Sequence, residues 1–275
     1  MHMKRINVFP AYILLIIWTL ISIFPFYWTF ISSFTPVDKI FSYPPSLYPK
    51  FFTLANYERL QVYIPSIWQN ISNSAILALF TPLASIFLES MAAFAFSKLK
   101  FKGREILFGI VIATMLIPAS VGFIPLFIIE VNLKLIDTLW AVFLPGVVGA
   151  FGIFLFRQAM YSIPNELMDA GKIDGASDFV LYYAIVLPAV KPIMITRYIM
   201  GFIASWNSFF WPLIVLRTQE KLTFPVALSA LQTQLFESPW GSIMAGAVLL
   251  IIPVLIIFAI LSQYIVPEIG GAIKG

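Results

Sequence analysis

Residues 241–264 read GSIMAGAVLLIIPVLIIFAILSQY, without one charged side chain. A helix rises about 1.5 Å per residue, so such a stretch covers the roughly 30 Å of hydrocarbon in a bilayer, which takes about 20 residues. Backbone amides inside hydrocarbon must be satisfied within a helix or around a closed barrel. The run lacks the in-and-out alternation of a barrel strand, which leaves the helix. Five more long apolar runs lie at about Pro10 to Ser32, Asn73 to Phe96, Leu107 to Ile129, Leu139 to Phe156 and Ile193 to Leu216, with Glu89 and Arg197 the charged residues inside them. Of the 275 residues, 60% are hydrophobic and 11% charged, against about 25% charged in soluble domains. The expectation is an all-α integral membrane protein of about six transmembrane helices. The first run is too long for a signal-peptide core and no small-residue cleavage site follows it, so it reads as a retained anchor.

The segments between the runs differ in charge. One side collects Lys4, Arg5, Lys98, Lys100, Lys102, Arg104, Arg157, Lys172, Lys191, Arg197 and Lys274; the other holds Lys39, Lys50, Arg59, Lys134, Arg217 and Lys221. Lys and Arg accumulate on the cytoplasmic side, which predicts a multi-pass protein of the cell (inner or cytoplasmic) membrane with both termini in the cytoplasm. The net charge of +4 then reflects topology rather than a nucleic-acid partner. Cysteine is absent and the one histidine is His2, so no disulfide, thiolate site or metal-ligand cluster is expected. Two external connections, about Ser33 to Ser72 with Pro44, Pro45 and Pro49, and about Arg217 to Trp240 with Thr223-Phe224-Pro225, are long enough to pack on the outer face.

Several residues inside the runs call for explanation. Pro25, Pro82, Pro118, Pro125, Pro145, Pro212 and Pro253 each remove a backbone donor and tend to kink a helix. Gly146, Gly149 and Gly152, and the pair Gly241 and Ala245, predict close helix contacts. Glu89 falls about 12 Å from the cytoplasmic end of the second span, and an ionisable group at that depth must face protein or water. It serves solute passage, a gate or proton coupling, or else it is a protonated or hydrogen-bonded carboxyl that holds helices together. Trp206 and Asn207 pair a flat apolar ring with an amide, suited either to a sugar ring or to helix packing.

The cytoplasmic connection from about Arg157 to Lys191 carries the most chemistry. Pro164 stands at a helix start, with Glu166 and Asp169 in the first turns where carboxylates favour the helix dipole. Gly175 suits a chain reversal, and Ser177 caps a second helix through Phe179, Tyr182, Tyr183 and Val186, ended by Leu187-Pro188. Four acidic residues against one Lys between Glu166 and Asp178 suit a basic protein partner better than an anionic leaflet.

These residues resemble a signature of the permease subunits of binding-protein-dependent ABC importers: Glu-Ala-Ala, three residues, Gly, nine residues, Ile-x-Leu-Pro. Here it reads Asp169-Ala170-Gly171, three residues, Gly175, nine residues, Ile185-Val186-Leu187-Pro188. Asp replaces Glu and Gly replaces the second Ala. Other stretches are similar to the carbohydrate-uptake branch of that type I family, which includes the maltose and glycerol-phosphate permeases. They are Leu54-Ala-Asn56-Tyr57, Ala93 through Arg104, Ile124-Pro125, Gly152 through Gln158, Trp206-Asn207 through Pro212, and the ending Gly270 through Gly275.

The resemblance implies an N-terminal helix and external loop over 1–68, a permease core over 69–265 with its coupling loop at 157–191, and a cytoplasmic tail at 266–275. It implies half of a transmembrane pathway for a sugar or oligosaccharide delivered by an extracytoplasmic binding protein, with a second permease subunit and two ATPase subunits as partners. ATP and Mg would be bound by the ATPase and no cofactor by this chain, which has no Gly-x-x-x-x-Gly-Lys-Ser/Thr phosphate loop. Glu166, Asp169, Ala170, Gly171, Asp174, Gly175, Leu187 and Pro188 would form the coupling surface, Asp169 facing a basic group and Ala170 and Gly171 permitting close approach. Glu89, Trp206 and Asn207 are the pathway candidates. A permease for a glycerol phosphoester or oligopeptide and an ion-gradient-driven secondary transporter are the competing readings.

Overall fold

The computed structural model describes residues 9–44, 48, 51–233 and 239–264; His2, Lys4, Arg5, Pro45, Pro49, Lys50 and the tail 266–275 lie outside them. Four helices are long and apolar enough to cross a membrane: Phe9–Ser33, Ile67–Lys98, Trp140–Tyr161 and Trp240–Tyr264. Two bent pairs bring the number of spans to 6 if each counts as one.

Two of the expected spans are not straight helices. The third bends by 94° between Arg104–Thr114 and Ala119–Asn132. Pro118 explains the site, because a proline biases the residue before it away from helical backbone angles. The fifth, expected over Ile193 to Leu216, stops at Trp206 and resumes as Phe210–Val215. Pro212 has no N–H for the Ser208 carbonyl and its ring would collide with that group in a continuous helix.

The described residues divide into two compact units, one within 9–65 and 228–252, the other within 66–227 and 253–264. In the first, the helix Phe9–Ser33 buries only Ile31, Ser32 and Ser33, leaving an apolar surface of the kind that lipid covers. Asn56 is its buried tie: Nδ2 donates to the Ser33 carbonyl at 2.9 Å and the Thr35 carbonyl at 2.8 Å. The Ser242 hydroxyl donates to the Asn56 carbonyl at 3.1 Å, and a Cβ on Gly241 would collide with the Asn56 side chain. The small residue expected at the start of the last span therefore makes room for a polar anchor.

The second unit is built on the helix Ile67–Lys98. At one end of it, Asn70 and Asn73 donate to the carbonyls of Gln219, Glu220 and Leu222 at 2.7 to 3.0 Å, and Ser74 Oγ accepts the Phe224 N–H. Asp137, at φ +62°, holds the same loop by accepting the N–H groups of Arg217 and Thr218 at 2.9 and 3.0 Å. At the other end a core of Ala93, Phe94, Phe156, Met160, Leu181, Tyr182 and Val186 joins the long helix to the 157–191 segment.

Candidate functional site

The acidic segment folds as a knuckle of two short helices. Pro164 precedes the helix Asn165–Ile173, which ends in a paired reversal: the Gly175 N–H donates to the Lys172 carbonyl at 3.0 Å and the Ala176 N–H to the Gly171 carbonyl at 2.9 Å. This is a Schellman termination, which needs a left-handed residue just past the cap. Gly175 supplies it at φ +82°, with open space around its Cβ position. Ser177 then caps the next helix, its Oγ accepting the Val180 N–H at 3.4 Å.

That second helix does not end at Leu187-Pro188. After Asp178–Leu181 it widens into a π-turn over Tyr182–Val186, in which the Leu187 N–H reaches back to the Tyr182 carbonyl. It continues through Leu187–Ala189 and only then turns by 76° into Lys191–Trp206. The wider turn gives the Pro188 ring room that an α-turn lacks.

Glu166, Asp169, Ala170, Asp174 and Gly175 are exposed on the knuckle, together with Leu167 and with Ile173, which is 87% exposed. Met168 points inward. Gly171 does permit a close approach, but inside the chain: a Cβ there would collide with Leu181. Leu187 is half-buried against the core and Pro188 is exposed. Asp169 borders a cleft of about 690 Å³ with Lys98, Lys100, Arg104 and Lys172, so cations of its own chain already stand near it. Lys98 fastens the knuckle to the long helix, its Nζ donating to the Ile163 carbonyl at 2.6 Å and to Asn165 Oδ1 at 3.2 Å. Arg157 closes the neighbouring corner, reaching both Glu105 oxygens at 3.0 and 2.8 Å and lying 3.7 Å over the Phe108 ring.

The pathway candidates do not converge. Glu89 has no exposed surface and is gripped by Arg197, whose Nε lies 2.8 Å from Oε2 and Nη2 2.7 Å from Oε1. The Gly149 N–H adds a third donor at 3.0 Å. It is available because the fourth span breaks between Gly146 and Ala150, leaving Gly149 extended ahead of the next helix. A Cβ on Gly152 would collide with the carboxylate, and one on Gly146 would stand 2.8 Å from Thr81. The three glycines thus line the groove that receives Thr81 and Glu89. Trp206 is buried and stacked on Phe202, whereas Asn207 is exposed in the helix break.

Arg197 is the residue that counting charges misplaced. It stands within the Lys191–Trp206 helix, not at a cytoplasmic helix end, and its charge is matched inside the bundle. The signal available in the sequence was its position inside an apolar run, which should have prompted a search for an acidic partner.

Residues 85–271 match the family described as "Binding-protein-dependent transport system inner membrane component". The chain is 34% identical over 264 residues to the arabinooligosaccharides transport system permease protein AraQ of Bacillus subtilis, covering 94% of this chain and 92% of that one. It is 28% identical to the lactose transport system permease protein LacG of Rhizobium radiobacter, covering 98% of each. Among solved structures, a chain of a bacterial ABC transporter involved in the import of the acidic polysaccharide alginate matches with a TM-score of 0.85 at 25% identity, over 96% of this chain and 99% of that chain.

Proposed function

The chain belongs to the family of binding-protein-dependent transport system inner membrane components, and from that premise we propose that it forms half of the pathway of an ATP-driven importer for a sugar or oligosaccharide. In this reading a second permease subunit completes the pathway, two ATPase subunits supply the energy, and a binding protein delivers solute from outside. Both termini and the knuckle face the cytoplasm. The relatives' names include arabinooligosaccharide and lactose systems and also an sn-glycerol-3-phosphate system; the higher identity of the arabinooligosaccharide permease, 34% against 30%, supports the carbohydrate.

The observation that carries the proposal is the knuckle. Its acidic and apolar side chains are exposed, while its backbone is held by the Gly175 reversal, the Gly171–Leu181 contact and the Lys98 bonds. A piece so fastened moves as a body. A push from an ATPase closing on Leu167, Ile173 and the neighbouring carboxylates would travel along two routes. One runs through Ile163 and Lys98 into the long helix, and the other through the π-turn into Lys191–Trp206. Those two helices are joined again at Glu89 and Arg197, so a displacement at the knuckle changes the packing at mid-membrane.

The test is uptake into proteoliposomes holding the assembled complex. We expect import of neutral oligosaccharides only with ATP on the ATPase side and binding protein on the other. Uptake by this chain alone, driven by an ion gradient and indifferent to the ATPase, would refute the reading. Import of glycerol phosphoesters with no oligosaccharide import would replace the solute.

A further inference from the structure

At the middle of the 32-residue helix Ile67–Lys98, facing Lys191–Trp206, lies a cavity of about 220 Å³ bordered by Thr81, Ser85, Arg197, Gly201, Ser205 and Ser208 among others. At about 30 Å³ per water, it has room for roughly seven waters or a single sugar ring. An oligosaccharide does not fit in it whole.

The polar groups on its wall are largely free to bind something. Thr81 Oγ1 is buried and has no partner among the described residues. The Ser85 hydroxyl donates to the Gly146 carbonyl at 2.9 Å, which leaves its oxygen able to accept. Ser205 and Ser208, both partly buried, add two more hydroxyls to the wall. Arg197 uses Nε and Nη2 on Glu89, while Nη1 is turned toward Gly201, where a Cβ would stand only 2.9 Å away. A guanidinium edge without an acceptor is costly against hydrocarbon, so the cavity meets water or protein rather than lipid tails.

We propose that this cavity is a solute subsite for one uncharged sugar ring, its hydroxyls engaged by Arg197 Nη1 and by the Thr81, Ser85, Ser205 and Ser208 oxygens. The inference rests on the importer reading above and adds a place and a charge preference to it. Sugar hydroxyls both donate and accept, as does this wall. Glu89 acts as a positioning residue: by matching the charge of Arg197 it leaves a site that is polar without being cationic, so an acidic solute gains no net attraction there.

The absence of cysteine from the chain allows a direct experiment on the complete importer in proteoliposomes. Ser205→Cys and Ser208→Cys are close to isosteric, and Ser90→Cys serves as a dry control, since Ser90 is buried against the Tyr182 hydroxyl at 2.8 Å. Modification of this chain by a small water-soluble methanethiosulfonate is read by mass spectrometry. The solute probes are lactose, arabinobiose and, as the anionic counterpart of lactose, lactobionate. Ser205→Cys and Ser208→Cys should be modified during turnover and Ser90→Cys should not. The neutral disaccharide that the complex imports, at ten times its half-saturating concentration, should slow modification about tenfold, as the factor 1 + [L]/Kd requires. Lactobionate at that concentration should not slow it.

Import of a neutral disaccharide with cysteines that stay unmodified, or that react at a rate indifferent to it, overturns the subsite; a cavity filled by the second permease would give that result. Equal protection by lactobionate overturns the charge preference. Failure of ATP and binding protein to drive uptake of any neutral di- or oligosaccharide fails the importer reading itself.

Discussion

Glu89→Gln should be among the most damaging single substitutions in the second unit, and the reason is the charge it leaves behind. Glu89 is wholly buried, and the Arg197 side chain is 14% exposed. Two short bonds of 2.8 and 2.7 Å join them. Removing one member of a buried pair costs about 3–5 kcal/mol because the other charge loses its counterpart. The slight exposure of Arg197 toward the cavity places this case near 3 kcal/mol on that scale. The double variant Glu89→Gln/Arg197→Gln removes both charges and lets two amides bond each other, so it should lose only about 1 kcal/mol, the net worth of a hydrogen bond. The assay is denaturant unfolding of the purified complex in mixed micelles, with the four corners of the cycle measured side by side. The double variant should be more stable than either single one. Gly152→Ala supplies an independent arm: it should be severe in the natural chain, where its methyl meets the carboxylate, and mild beside Glu89→Ala, where the space is vacated. Losses that simply add, with the double variant worst of all, would refute a paired, charge-matched Glu89.

Three more outcomes are expected. Gly175→Val forces an ordinary residue to φ +82°, at a position where nothing stands within 4 Å of the added Cβ. Its cost is that of left-handed backbone, about 1–2 kcal/mol, or roughly 5- to 30-fold in affinity for the ATPase at 1.4 kcal/mol per decade. Gly175→Asn should do less harm, membrane insertion should be unaffected, and unchanged ATPase binding by the Val variant would remove the docking role. Asp169→Lys should uncouple ATP hydrolysis from uptake more severely than Asp169→Glu, since it reverses a charge presented at the knuckle; equal uptake by both would eliminate the electrostatic part. Asp137 is held well below the usual carboxylate range, first by the Thr218 hydroxyl and then by the backbone N–H groups of Thr218 and Arg217, with Lys221 adding to them. Because the folded value is the lower one, its contribution is complete above the ordinary value of about 3.9. It is lost as pH falls through the folded value. The 217–222 loop should therefore resist proteolysis at neutral pH and loosen in strong acid, and Asp137→Asn should be susceptible already at neutrality.

How far the sequence could be read depended on whether a feature was local. Membrane spans are legible because a bilayer demands a length of apolar chain, whatever that chain packs against. The reversal at Gly175 and the cap at Ser177 are legible because each is decided by residues within one turn of itself. The departures have non-local or cooperative causes. The break after Trp206 and the bend before Ala119 follow from prolines whose consequences depend on which neighbouring carbonyls find other partners. The second knuckle helix outruns Leu187-Pro188 because a π-turn upstream relieves the ring.

Arg197 shows the limit most clearly. Counting cations assigns it by position along the chain, yet its partner lies 108 residues away, and no periodicity encodes that distance. What does encode it is a conflict: three glycines at 146, 149 and 152, a lone acid at 89 and a lone base at 197, each unfavourable by itself inside apolar sequence. Glycines weaken helices and isolated charges resist burial. Such liabilities coexist only where they relieve one another, the glycines giving the carboxylate space and the arginine giving it charge. Unfavourable residues that recur in different spans of one membrane protein are therefore best read jointly, as candidates for a single cluster. In this chain that rule brings together Glu89 and Arg197, and through the unengaged edge of Arg197 it leads to the cavity beside them.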